Sequence, residues 1–172
     1  CKALKTGIYE EKTMKIGLAS LICKNKDINF NLIRIERAMR ELRGRADLLC
    51  FGEAYLQGFD SLCWDYETDK NMALSLESEP ILKLRALTSK YETALLIGYI
   101  EKDGDKLYSS CAVLADGEIM HNYRRISKGW KEFSKTDKHY CEGSDTKEFE
   151  LMGKKMQIAI CGDLWDYPER FK

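Results

Sequence analysis

The sequence predicts an α/β fold that opens as a parallel βαβ unit and continues as an antiparallel meander. Three observations carry this: two apolar runs separated by one amphipathic helix, a third apolar run after a helical stretch, and then glycine turns at short intervals. Residues 14–22 read as a buried strand, with Ile16, Leu18, Leu21 and Ile22 beside the small Gly17 and Ala19. Asp27 or Asn29 caps the next helix. There Ile28, Leu32, Ile35, Ala38, Met39 and Leu42 recur at three- and four-residue spacing and form one apolar stripe. Gly44 stops that helix, and residues 47–51 (DLLCF) form a second buried strand. Strand, helix, strand at this spacing implies a parallel pair. Residues 62–91 are mainly helical, and Pro80 opens a second helix in its first turn. Residues 93–101 (TALLIGYIE) are a third strand. Gly104, Gly117 and Gly153 each stand between short apolar or β-branched runs and read as hairpin turns. Residues 155–161 (KMQIAIC) are the last apolar strand, and a helix or loop opens at 163–168.

Composition narrows the function. The 172 residues include 28 Lys+Arg and 28 Asp+Glu, a zero balance that argues against a general nucleic-acid binder. No apolar run reaches the ~18 residues of a membrane helix. Cys1-Lys2-Ala3-Leu4-Lys5 lacks the pattern of a secretory signal. The seven cysteines contain no CxxC pair and only two histidines accompany them, so neither a zinc finger nor a His-rich metal site is expected. Reduced thiols in a cytoplasmic protein fit this usage. Residues 1–13 are charged and irregular and read as a leader or arm. Residues 14–172 form one domain.

Reactive residues stand at the ends of three apolar strands, where sites in open α/β sheets are built. Glu53 follows the strand DLLCF, flanked by Phe51, Ala54 and Leu56. A strand-end glutamate is ordinarily solvated, but partial desolvation would make it a general base. Arg124, Arg125, Lys128 and Lys131 place four cations within eight residues after another strand. Such a cluster is ordinarily a solvated face, and one cation turned inward would stabilise an oxyanion. Cys161 ends the last apolar strand. Gly162 gives a tight turn into a helix start, whose amides would favour a thiolate.

Glutamate, cation and cysteine in this order resemble the nitrilase (carbon–nitrogen hydrolase) superfamily. FGEAYLQGF is similar to the family's glutamate motif and ICGDLWDYPE to its nucleophile motif; MKIGLAS and the hairpins are similar as well. The resemblance runs from about Met14 to the end. It implies an α-β-β-α sandwich, represented here by its N-terminal portion. It also implies a thiol hydrolase of a small amide or carbamoyl compound, with Glu53 as base and Cys161 as nucleophile. The oxyanion would be held by a lysine and the Gly162 N–H. No metal or cofactor is implied, and a homodimer or larger homo-oligomer is.

Three features depart from the pattern. Arg125 stands where the family's lysine directly follows Tyr-Arg, and its planar, permanently charged head differs in shape from an ammonium. The lysine is therefore expected at Lys128, with Lys131 the alternative, and Glu132 corresponds to an extra glutamate of some members. The nucleophile motif has one residue more than usual between Cys161 and Pro168. The chain also ends soon after the nucleophile, where family members continue. This sets up a rival reading, a truncated, inactive homologue serving as an interaction module.

Overall fold

The computed structural model describes residues 13–171. The expected leader at 1–13 falls almost wholly outside them. The chain runs β1 (Ile16–Leu18), α1 (Ile28–Leu42), β2 (Leu48–Cys50), α2 (Tyr66–Asp69), α3 (Glu79–Tyr91), β3 (Ala94–Asp103), β4 (Lys106–Ala115), β5 (Glu118–Arg124), β6 (Phe149–Leu151), β7 (Lys154–Met156) and α4 (Asp163–Asp166). One five-stranded sheet has the order β1-β2-β3-β4-β5, and β6 pairs β7 separately. β1, β2 and β3 are parallel, with Ile16 opposite Leu48 and Leu48 opposite Ala94. β3, β4 and β5 are antiparallel hairpins. The mixed topology follows from the connections: helices return the chain to the same end of the sheet, and two-residue turns reverse it.

The predicted signals act locally as expected. Asp27 caps α1 by accepting from the Phe30 N–H at 2.9 Å, and Pro80 sits in the first turn of α3. Turns at Asp116-Gly117 and Met152-Gly153 have positive φ at both positions, the geometry that matches strand twist.

The sheet has two different faces. Leu95, Ile97, Tyr99, Ala112 and Leu114 pack under α1 and α3, against Ile35, Met39, Ile81 and Leu84. Alternate residues, Cys111, Val113 and Tyr123, turn to the opposite face and meet Leu151, Ile158 and Ile160. Period-two alternation therefore divides each strand between a helix-covered core and a face covered by the hairpin and the segment after it.

Two expectations are corrected. The strand at 14–22 shrinks to β1, an edge strand whose Ile16 and Leu18 are 51% and 83% exposed. It has a ladder partner on one side only, so its apolar residues are not enclosed. The run 155–161 is a strand only as far as Met156. Beyond it the Ile160 N–H bonds to the Asp163 carboxylate at 2.8 Å rather than to a neighbouring strand. Among the described residues, no helix is long and apolar enough to cross a membrane.

Candidate active site

The site lies on the hairpin-covered face. The Gly52–Gln57 turn, which carries Glu53, is held to β3 by two backbone bonds: Phe51 N–H to Leu96 O at 2.8 Å and Leu56 N–H to Gly98 O at 3.2 Å. Gly98 lies beneath this turn. A Cβ there would stand 2.7 Å from Glu53 Cα and 2.8 Å from Ala54 N. These are backbone atoms, so a side chain cannot be absorbed by a rotamer change. Gly98→Ala is expected to lift the turn and destabilise the protein by about 1–3 kcal/mol, as overpacking does. Urea unfolding checks it, and an unchanged midpoint would contradict the close approach.

Glu53 is 14% exposed. Its Oε1 accepts from Ser109 Oγ at 2.8 Å and pairs with Arg125 Nη1 at 2.9 Å. Ser109 comes from β4, on the same face as Cys111, so the sheet itself aims one donor at the carboxylate. Arg125 is 5% exposed. Its Nε donates to Ser127 Oγ at 2.6 Å, and its backbone is held by Ser109 O and the Gly143 N–H, each at 2.8 Å.

Cys161 is exposed and has φ 44°. That left-handed conformation costs a residue with a Cβ about 1–2 kcal/mol, and its persistence marks a turn fixed by its surroundings. The fixing group is Asp163, which is fully buried. Its Oδ1 accepts from the Ile126 and Ser127 N–H groups at 3.1 and 2.8 Å. Its Oδ2 accepts from the Ile160 N–H at 2.8 Å and from Tyr123 Oη at 2.7 Å. One carboxylate thus joins the cysteine turn to the loop that carries Arg125. Burial, and then the bond to Asp163, push the Tyr123 pKa up, so its hydroxyl stays a donor. Burial also raises the thiol pKa of Cys50 and Cys111, which suits core residues rather than nucleophiles. α4 is a single turn, so the helix start expected to favour a thiolate contributes little here.

Glu53, Arg125 and Cys161 line one cavity of about 210 Å³, together with Phe59, Trp64 and Trp130. Glu53 and Cys161 also border a second cavity of about 280 Å³, walled by Leu96, Ile158 and Ile160. The expected lysines stand elsewhere. Lys128 is exposed on the short 3-10 turn Lys128–Trp130 and does not line either cavity. Lys131 pairs with Glu142 at 2.6 Å and donates to Tyr140 O at 2.6 Å, tying two loops together. Glu132 is exposed and accepts from Ser134 Oγ at 2.9 Å. The ammonium expected beside Glu53 is therefore corrected to a guanidinium. Tyr123, the last but one residue of β5, faces the site, and alternation carries Arg125, just past the strand, to the same face. Lys128, of opposite parity and past the strand end, is turned out to water. Ser109 and Asp163 were not anticipated. Asp163 had a signal in its place two residues after the cysteine, whereas Ser109 had none.

Residues 15–169 match the family profile described as carbon-nitrogen hydrolase. The chain belongs to the carbon–nitrogen hydrolase family. It is 28% identical over 159 residues to a glutamine-dependent NAD(+) synthetase of Thermotoga maritima, covering 90% of this chain and 26% of that protein. It is 32% identical over 107 residues to a citrullinase of Francisella tularensis, covering 58% and 35%. With an (R)-stereoselective amidase of a Pseudomonas species it shares 26% over 156 residues, covering 91% and 54%. The carbon–nitrogen hydrolase fold is seen again in solved structures. A CN-hydrolase superfamily protein of Xanthomonas campestris aligns with TM-score 0.76 at 16% identity, over 91% of this chain and 56% of that one. An amidase from Nesterenkonia aligns with TM-score 0.71 at 17% identity, over 92% and 61%. The chain thus spans between about a quarter and just over a half of the length of these curated relatives.

Proposed function

We propose that this chain forms the catalytic part of a thiol hydrolase that cleaves the C–N bond of a small amide or carbamoyl compound. The observation that carries the reading is the convergence of a held carboxylate, a buried cation and an exposed cysteine on one small cavity. Glu53 Oε1 is occupied by two donors, so Oε2 takes the proton of the Cys161 thiol. Sγ bonds to the carbonyl carbon, and the C=O electron pair moves to oxygen. When the tetrahedral adduct collapses the C–N bond breaks, Glu53 returns its proton to the departing nitrogen, and a thioester remains. Glu53 then takes a proton from water, hydroxide attack on the thioester breaks the S–C bond to release the acid, and Glu53 returns that proton to the Cys161 sulfur. The cation and the Gly162 N–H serve the oxyanion in both halves.

The cavity of about 210 Å³ suits a small acyl group, and Phe59, Leu62, Trp64 and Trp130 give it apolar walls. The amidase and citrullinase among the relatives support an amide or carbamoyl substrate. Assembly as a homodimer or larger oligomer belongs to the same proposal. The test uses the full-length gene product, treated with substoichiometric iodoacetamide at neutral pH and mapped by peptide mass. Cys161 is expected to be alkylated first, ahead of Cys63, which is also exposed. Preferential labelling of any other cysteine would remove Cys161 from the nucleophile's role.

A further inference from the structure

We propose that Arg125 is the oxyanion-binding cation of this site, a guanidinium working where the family pattern has a lysine. The inference rests on the reading of Cys161 as nucleophile and Glu53 as base.

The geometry of the guanidinium is the argument. Nη1 is committed to Glu53 and Nε to Ser127. Nη2 lies against Gly162, the residue after the nucleophile, where any Cβ would collide with it and would stand 2.9 Å from Ser127 Oγ. The absence of a side chain at Gly162 therefore leaves space that the guanidinium fills. The planar head reaches from the base to the nucleophile turn, with one edge on each. A lysine ammonium carries three donors on one nitrogen, whereas the guanidinium holds its donors in a fixed plane that spans the distance from Glu53 to Gly162. The head is also fixed before any substrate arrives. It is 5% exposed, its backbone is bonded on both sides, and the loop that carries it shares the Asp163 carboxylate with the cysteine turn. Donors immobilised in a partly dry site need no reorganisation when charge develops, which is the condition for strong oxyanion stabilisation.

The step balances without Arg125 changing its protonation. Sγ of Cys161 bonds to the carbonyl carbon, the C=O electron pair becomes the oxyanion lone pair, and the thiol proton is on Glu53. Nη2–H donates a hydrogen bond to that oxygen and keeps its proton, because a guanidinium does not deprotonate in proteins. Every proton in the cycle therefore passes through Glu53.

The experiment follows acylation of the full-length gene product by p-nitrophenyl acetate. It records the burst of p-nitrophenol and the acetyl adduct on Cys161 by mass. Arg125→Ala is expected to slow the burst by about 100-fold or more, the usual effect of removing an oxyanion donor. Millimolar guanidinium chloride should restore a substantial part of the burst, whereas equal sodium chloride should not. Arg125→Lys keeps a charged donor at this position and is expected to retain more of the burst than Arg125→Ala, with an unchanged circular dichroism spectrum. Lys128→Ala should leave it within about twofold. The proposal is overturned if Arg125→Ala acylates within about threefold of the unaltered rate, or if Lys128→Ala slows the burst as much as Arg125→Ala does. These failures differ from failure of the underlying reading, in which the unaltered protein carries no acetyl group on Cys161.

Discussion

Glu53→Gln is expected to lower the rate of Cys161 acylation by about 10²–10⁴-fold, the range for loss of a general base. The substitution keeps the shape of the side chain and leaves a carbonyl oxygen to accept from Ser109 and Arg125, so the local geometry should persist. It removes the acceptor of the thiol proton and the negative partner of a guanidinium that is 5% exposed. The second loss should appear in stability. Leaving a buried cation without its counter-ion costs roughly 3 kcal/mol, the low end of the range for such pairs because the carboxylate side is 14% exposed. Burst kinetics and urea unfolding on the same preparation separate the two effects. An acylation rate within threefold of the unaltered protein would remove Glu53 from the chemistry, whatever happens to the melt.

Asp163→Ala is expected to have the largest effect on folding of any single change in the site. It leaves two backbone N–H groups of the Arg125 loop, one of the cysteine turn and the Tyr123 hydroxyl without their acceptor, at a position with no solvent exposure. Each orphaned buried donor costs about 1–3 kcal/mol. The total, of order 4 kcal/mol or more, approaches the stability of an ordinary domain. Asp163→Asn is the informative companion, because it keeps one acceptor oxygen and presents an NH₂ group to donors on the other side. With its oxygen kept toward Ile126 and Ser127, its NH₂ group faces the Ile160 N–H, so the variant should fold, lose amide-exchange protection at Ile160 and acylate slowly. Unchanged protection at all three amides would show that this carboxylate does not join the two loops.

The readings that succeeded in the sequence depend on neighbours along the chain. The α1 stripe follows from a 3.6-residue repeat, its start from the Asp27 cap, and the hairpins from Gly104, Gly117 and Gly153, where positive φ is required. The readings that failed depend on what lies across the fold. The run 155–161 has strand composition, but most of its backbone has no ladder beside it. Residues 14–22 have core composition, yet β1 lies at an edge. The head of Arg125 differs in shape from an ammonium, yet its position past β5 brings it to the carboxylate of Glu53.

The sequence alone determined that a carboxylate and a cation cluster would stand at strand ends of an α/β sheet, and that a thiol would enter a tight turn later in the chain. Strand ends are written in local pattern, and the two motifs around Glu53 and Cys161 are contiguous. Only the tertiary structure decided which cation turns inward, which hydroxyl steadies the base and which carboxylate locks the cysteine turn. Those contacts join residues 36 to 72 positions apart, at Asp163–Ser127, Ser109–Glu53 and Arg125–Glu53. No local periodicity records such a distance; it is set by how the sheet packs against the segments that cross its open face.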